Sequence, residues 1–113
     1  MKQFVVIYYA PKSAIEKTHN MNPEEMKKGM EAWMKWSELC GENLLDMGAP
    51  LGPGMQISKT GATPGKTEVV GYSILQADSI EKAEELLKGH PHLEWADGCS
   101  IEVHEKMPLP TGF

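Results

Sequence analysis

The residue types best suited to chemistry lie in one short stretch near the C-terminus, Gly89 to Gly98. It contains two of the four histidines, His90 and His92, and the carboxylate of Asp97. Histidine exchanges a proton near neutral pH, and a carboxylate can fix the orientation and tautomer of its ring. We therefore predict His92 and Asp97 as the catalytic residues of an acid–base pair, with Glu102 as the other candidate partner of His92. The alternative is that Asp97 and Gly98 form a tight turn and that His92 is a structural or solvated loop residue.

His90 and His92 also stand at alternate positions, which share a side when the chain is extended. They would then be able to chelate a metal with a third ligand from Glu94, Asp97 or His104. The four histidines and two cysteines of the sequence, however, show no spacing typical of a structural metal site. We therefore predict no metal and no cofactor, and we place His90 among the residues that line a ligand site.

Four further residues are candidates for the same ligand site. The last predicted strand, Ser100 to Glu105, alternates so that Glu102 and His104 share one face. We predict both as ligand-binding residues, with contacts to a second subunit as the open alternative. Tyr8 and Trp33 would add aromatic rings to the pocket, although packing in a core or an interface explains them as well.

The composition limits the classes of function. A chain of 113 residues is expected to form one domain, and 41% hydrophobic and 24% charged residues are typical of a soluble globular protein. The net charge is −5 and the sequence contains no arginine, which argues against nucleic-acid binding and against a tightly held polyanion. The apolar run 4–10 is too short to span a membrane. Cys40 and Cys99 lack disulfide-like or zinc-like spacing, so we expect free thiols and a cytoplasmic location.

The elements that must position these residues can be predicted from periodicity and punctuation. Residues 4–10 are apolar on both alternate sets, which predicts a central strand. Asn22, Pro23 and Glu25 together favour a helix start, and Gly41 favours its end. We predict a strand at 4–10, a polar loop at 11–21, a helix from 22 to about 41, short strands near 44–48 and 55–59, a strand at 67–77, a helix at 78–89 capped by Asp78, and a strand at 100–105.

This order predicts an α+β fold of the ferredoxin-like βαββαβ type, an antiparallel sheet with two helices on one face. The other sheet face would then be uncovered, although the first and third strands carry apolar residues on both sides. A second copy of the same face would cover it. We therefore predict a homodimer that associates through the open sheet faces.

Several segments, in order along nearly the whole chain, resemble the YCII-related family, in the branch often called DGPF proteins. They are Asn22-Pro23-Glu24-Glu25-Met26, Trp33-Met34-Lys35-Trp36, Gly48-Ala49-Pro50-Leu51-Gly52-Pro53, Glu68-Val69-Val70-Gly71-Tyr72, Pro91-His92-Leu93 and Ser100-Ile101-Glu102-Val103. The resemblance implies a single dimeric α/β-barrel domain over residues 1–113, with a cleft in each subunit. It also implies that His92 matches a family position, in a group where hydrolase-like or lyase-like chemistry through a His–Asp pair is suggested.

This sequence departs from the family pattern at two places. The Asp-Gly-Pro-Phe segment that names the branch is replaced by residues 62–67, Ala-Thr-Pro-Gly-Lys-Thr, and His104 stands where a basic residue is often found. Two functions remain open. The first is a small enzyme that uses histidine–carboxylate acid–base chemistry on a small organic molecule in a cleft. The second is a non-catalytic dimeric module that binds a small ligand or has an accessory role.

Overall fold

The computed structural model describes residues 1–65 and 68–110, and it contains two sheets and four α-helices within that part of the chain. The strands are β1 (Lys2–Tyr9), β2 (Leu44–Pro50), β3 (Met55–Ser58), β4 (Gly61–Pro64), β5 (Val69–Ala77) and β6 (Ser100–Glu105). The helices are α1 (Lys12–His19), α2 (Pro23–Cys40), α3 (Ile80–Leu87) and α4 (Pro91–Trp95), and a 3₁₀ turn, Gly41–Asn43, follows α2.

Four strands form an antiparallel sheet in the order β2-β5-β1-β6. The two strands with the most apolar sequences, β1 and β5, lie in its middle and pair in the register Phe4↔Leu75 and Tyr8↔Gly71. β6 lies on the other side of β1, where Tyr8 stands opposite Ile101. An antiparallel sheet of this order, with helices in the connections, is consistent with the predicted ferredoxin-like α+β fold.

The core lies between one face of this sheet and helices α2 and α3. Alternate residues of β1 and β5, among them Phe4, Val6 and Leu75, are fully buried there. They pack against Trp36 of α2 and Leu87 of α3. Burial of each large apolar side chain contributes about 1.5–3 kcal/mol, so this layer is the main source of stability that positions the sheet residues.

The first turn of α2 forms as the sequence predicts. Asn22 Oδ1 accepts a hydrogen bond from the Glu25 backbone N–H at 2.9 Å, and Pro23 occupies the first turn. The helix ends at Cys40, and Gly41 follows with φ of 54°, a left-handed value that favours glycine. The C-terminal half of α2 is buried at Trp36 and Cys40, whereas Met26 and Met30 in its N-terminal half are exposed.

Several local predictions were wrong. Strand β4 lies in a segment predicted as a turn, and helix α4 lies in the segment predicted as a histidine-bearing loop, so the described chain has four α-helices instead of two. Residues 11–21, predicted as a polar loop, contain helix α1, which buries Ala14 and leaves His19 exposed. Ala14 is small and gives little apolar signal, and the Lys12 backbone N–H donates to the distant Glu68 Oε1 at 3.2 Å, a contact that no local pattern predicts. Helix α3 is capped by Ser79 and not by the predicted Asp78. Ser79 Oγ accepts a hydrogen bond from the Lys82 backbone N–H at 3.2 Å.

The opposite face of the sheet carries the remaining alternate residues of the strands. Val5, Ile7 and Tyr9 of β1 point to this face and are half-buried, in contrast to the fully buried residues between them. In the register of β1 with β5, Ile7 stands opposite Tyr72 and Val5 stands opposite Ile74. We call this surface the open sheet face. Within the described residues, no helix is long and apolar enough to cross a membrane.

Candidate functional site

The structure divides the predicted site residues between the two faces of the sheet. Tyr8 is buried on the helix side, where it meets Trp33 and His90. Glu102 stands opposite Ile7, and His104 stands opposite Val5, so both lie on the open sheet face. The single pocket predicted to contain all of these residues is therefore not formed within one chain.

On the helix side, Tyr8, Ser73 and His90 form a buried chain of hydrogen bonds. The Tyr8 hydroxyl lies 2.8 Å from Ser73 Oγ and 3.3 Å from His90 Nε2. Ser73 Oγ in turn donates to the Met47 carbonyl oxygen at 2.8 Å. All three side chains are at most 1% exposed. This series of hydrogen bonds thus connects the segment after α3 to β1, β5 and β2.

The hydrogen bonds of His90 fix the direction of this chain. The His92 backbone N–H donates to His90 Nδ1 at 2.9 Å, so Nδ1 is unprotonated and the ring proton is on Nε2. His90 therefore donates to the Tyr8 hydroxyl, Tyr8 donates to Ser73, and Ser73 donates to Met47. Burial, and secondarily the charge of His92, lowers the pKa of His90 from 6.5 to about 4, and burial raises the pKa of Tyr8 to about 12. Both groups are consequently neutral at pH 7.

Aromatic rings enclose His90. The Trp36 ring centre lies 4.3 Å from that of His90, and the Trp33 ring centre lies 4.5 Å away at an angle of 85°. Trp33 also makes an edge contact with Tyr8 at 5.0 Å and is itself half-buried. The three ligand-binding candidates Tyr8, Trp33 and His90 are thus brought together, in direct contact with one another.

His92, the predicted catalytic residue, is buried and binds the backbone. Its Nε2 donates to the Tyr9 carbonyl oxygen at 2.8 Å. Burial lowers the pKa of His92, and backbone hydrogen bonds with Tyr9 and Ser100 partly oppose that effect. Asp97 is exposed, and the Glu102 carboxylate binds His104. The expected pairing of His92 with Asp97 or Glu102 is therefore not the geometry found, and their catalytic role stays a prediction.

The histidine–carboxylate contact in the described part of the chain lies on the open sheet face. His104 Nε2 and Glu102 Oε1 are 2.7 Å apart, and their side chains are 60% and 55% exposed. Desolvation, followed by the charge of Glu102 and a hydrogen bond to it, raises the pKa of Tyr9. Tyr9, Glu102 and His104 thus form one network that solvent reaches. Tyr9 is not among the site residues predicted from the sequence. Tyr9 lies two residues after Ile7, which stands opposite Glu102, so Tyr9 and Glu102 share a face.

The described residues contain no group of three or more histidine, cysteine, aspartate or glutamate side chains arranged to hold a metal. Cys40 and Cys99 are free thiols. Burial raises the pKa of Cys40 to about 11 and also raises that of Cys99, so neither thiol is activated as a nucleophile. The accessible acid–base chemistry of the described residues therefore rests on oxygen and imidazole groups.

Comparison with known proteins shows likeness to solved structures but not to known sequences. No family model matches the chain, and no curated protein matches its sequence. Among solved structures, the chain is similar to 5-chloro-2-hydroxyhydroquinone dehydrochlorinase from Burkholderia phenoliruptrix AC1100, in complex with 2,5-dihydroxybenzoquinone. The TM-score is 0.49 and the sequence identity is 15%, over 88% of this chain and 90% of that chain. A likeness of this size assigns neither a family nor an activity to this chain.

Proposed function

We propose that the protein is a small homodimeric enzyme in which His104 and Glu102 carry out acid–base chemistry on a small organic molecule. The observation that supports this most is the 2.7 Å contact between His104 Nε2 and Glu102 Oε1 on an exposed surface. Of the residues predicted from the sequence, these two have the pairing that the predicted chemistry requires. The ring nitrogens of His92 and His90, by contrast, make buried hydrogen bonds within the protein.

The roles of the two residues follow from the hydrogen bond between them. Because a carboxylate only accepts, His104 Nε2 carries the proton that it donates to Glu102, and Nδ1 is the nitrogen that takes a proton from a substrate. The negative charge of Glu102 stabilises the imidazolium that forms, as in other carboxylate–histidine pairs. Positioned acid–base groups of this kind contribute rate factors of about 10² to 10⁴.

The surroundings favour a neutral or weakly acidic organic substrate. Tyr9 supplies a hydroxyl beside Glu102, and Ile7, which stands opposite Glu102 in the sheet, supplies apolar surface next to it. The chain has no arginine and a net charge of −5, so it lacks the usual fork for a carboxylate or phosphate group. An ester, a ketone or a phenol fits this surface better than an anion.

A second subunit would partly enclose Glu102 and His104, which are exposed in the single chain. The half-buried apolar residues of β1 and β5 occupy the middle of the open sheet face, and β6 is an edge strand. A copy packed on the middle strands would leave Glu102 and His104 at the margin, in a crevice between two sheets. This arrangement agrees with the dimeric α/β barrel that the sequence resemblance to YCII-related proteins implies, and we propose it for this chain.

Hydrolysis of 4-nitrophenyl acetate tests the acid–base role without knowledge of the natural substrate. The wild-type protein should release 4-nitrophenolate faster than buffer, and His104→Ala should remove most of this excess. The matched control is His19→Ala, which removes another exposed histidine and should leave the rate unchanged. Equal rates for the wild type and His104→Ala would contradict the proposal and leave the alternative of a non-catalytic, ligand-binding or accessory dimer.

A further inference from the structure

The ribbon formed by β3 and β4 has one apolar face and one polar face. Its strands pair in the register Met55↔Pro64, Gln56↔Thr63, Ile57↔Ala62 and Ser58↔Gly61. Because successive residues of a strand point to opposite sides, the paired residues share a face. The apolar face consists of Met55, Ile57, Ala62 and Pro64, and the polar face consists of Gln56, Ser58, Gly61 and Thr63.

The apolar face of this ribbon is uncovered in the chain. Every residue of β3 and β4 is exposed, including Met55 at 61% and Ile57 at 80%. An isolated two-stranded ribbon is at best marginally stable in water, and clean alternation of apolar and polar residues is typical of a ribbon that covers another surface. We call residues 51–65 the arm.

The dimensions of the molecule agree with an arm that projects from the main body. The radius of gyration is 15.8 Å, whereas a compact chain of this length has a value of about 13 Å. The arm leaves the sheet after Pro50, at the end of edge strand β2, and its base is closed by a hydrogen bond of 2.8 Å from the Gly65 N–H to the Gly54 carbonyl. The arm therefore extends from the same sheet whose other face is open.

We infer that the apolar face of the arm lies on a second copy of this chain. Four strands spaced ~4.8 Å apart and about six residues long give the open sheet face a footprint on the order of 400 Å². A stable interface buries about 800 Å² of accessible surface on each partner, which exceeds the projected area of this sheet face, so further apolar surface beside it would extend the interface. The arm supplies apolar surface of the kind that is missing, directly beside the open face.

Charge also favours a second copy as the occupant. Lys59 is the one charged residue in the sequence of the arm, whereas the whole chain has a net charge of −5. The open sheet face carries Glu102, and Asp46 stands in register with Ile74 of that face. The same face also carries Lys106, whose Nζ donates to Gln3 Oε1 at 2.9 Å. The arm, which has no carboxylate, therefore adds no charge repulsion where two acidic copies meet.

Sedimentation equilibrium of the full-length chain tests this inference with a matched pair of variants. Met55→Lys/Ile57→Lys places two charges on the apolar face, and Gln56→Lys/Ser58→Lys places the same charges on the polar face of the same ribbon. The first pair should raise the dimer Kd at least about tenfold, and the second pair should change it less than about threefold. Circular dichroism checks that both variants keep the secondary structure of the wild type.

This inference rests on the dimer of the proposed function, and a third variant separates the two. Ile74→Lys charges the open sheet face and should weaken the dimer whether or not the arm contributes. A dimer that Ile74→Lys disrupts but Met55→Lys/Ile57→Lys leaves intact would overturn the arm inference and keep the sheet-face dimer. A wild-type chain that stays a monomer at about 100 µM would overturn both the arm inference and the proposed dimer. Equal effects of the two lysine pairs on the dimer Kd would overturn the arm inference alone.

Discussion

Tyr8 and Tyr9 are neighbours in the chain, but their hydroxyls belong to two networks on opposite faces of the sheet. Tyr8 lies in the buried chain from His90 to Ser73, whereas Tyr9 lies beside Glu102 on the open sheet face. The first network is enclosed and fully hydrogen-bonded, and the second is reached by solvent. This separation is the basis for assigning stability to the first network and chemistry to the second.

The buried state of His90 should make the protein less stable in acid. The pKa of His90 falls from 6.5 to about 4 on folding, so the unfolded chain binds a proton at higher pH than the folded chain. The contribution of neutral His90 to stability is therefore complete above pH 6.5 and is lost as the pH falls towards 4, by about 3 kcal/mol in total. Urea unfolding between pH 7 and 4 measures this loss.

His90→Gln is the variant that isolates this effect, because glutamine does not titrate. Its free energy of unfolding should be lower than that of the wild type at pH 7, and the difference should shrink as the pH falls to 4. His19→Gln, at an exposed position, should follow the wild-type curve. A constant difference between His90→Gln and the wild type across this range would show that His90 does not titrate in the way described.

Tyr8→Phe should cost stability without affecting the chemistry on the other face. The substitution leaves the ring in place but removes the hydroxyl that joins His90 Nε2 to Ser73 Oγ, so two buried polar groups lose a partner. The expected loss is about 1–3 kcal/mol in the free energy of unfolding. Hydrolysis of 4-nitrophenyl acetate by the folded variant should be unchanged, and a large fall in that rate would link the two networks.

His92→Ala decides between a structural and a catalytic role for that residue. The ring is buried and its Nε2 donates to the Tyr9 carbonyl. Its removal would leave a cavity and an unpaired carbonyl, so the free energy of unfolding should fall by about 2–4 kcal/mol. A thermal melt beside the ester assay measures both properties. Loss of activity at full stability would instead support the catalytic pair of His92 and Asp97 that the sequence predicts.

The dimer itself is tested most simply by mass. Light scattering at micromolar concentration should give about twice the chain mass of 12.5 kDa. Addition of a chelator should leave both the mass and the melting temperature unchanged, because we expect no structural metal. A drop in the melting temperature by many degrees would show that metal binding by the histidines had been underrated.

The fold was more predictable from the sequence than the site, for physical reasons. Strands β1 and β5 and the start of α2 follow from local signals, namely apolar alternation and the Asn22–Pro23 cap, which act within a few residues. The sequence does not predict helix α1, because its buried residue Ala14 is small and gives little apolar signal. Local signals of this kind specify elements but not what those elements contact.

The site depends on contacts between distant residues, which the sequence does not encode locally. The residue type of His92 and the resemblance to YCII-related proteins predict a catalytic role, but its ring binds a carbonyl of β1, 83 residues away. The Glu102–His104 pair was visible as an alternation in one strand, and its face could be predicted. The register of β6 with β1 determines that Tyr9 lies beside this pair, and a pattern within one strand does not predict that register.

A double-mutant cycle on Glu102 and His104 tests the central claim most directly. If the two residues act as one acid–base unit, Glu102→Gln should lower the rate of 4-nitrophenyl acetate hydrolysis in the wild-type background by about tenfold or more. In the His104→Ala background the same substitution should have no further effect. Equal effects of Glu102→Gln in both backgrounds, or no effect in either, would contradict the account.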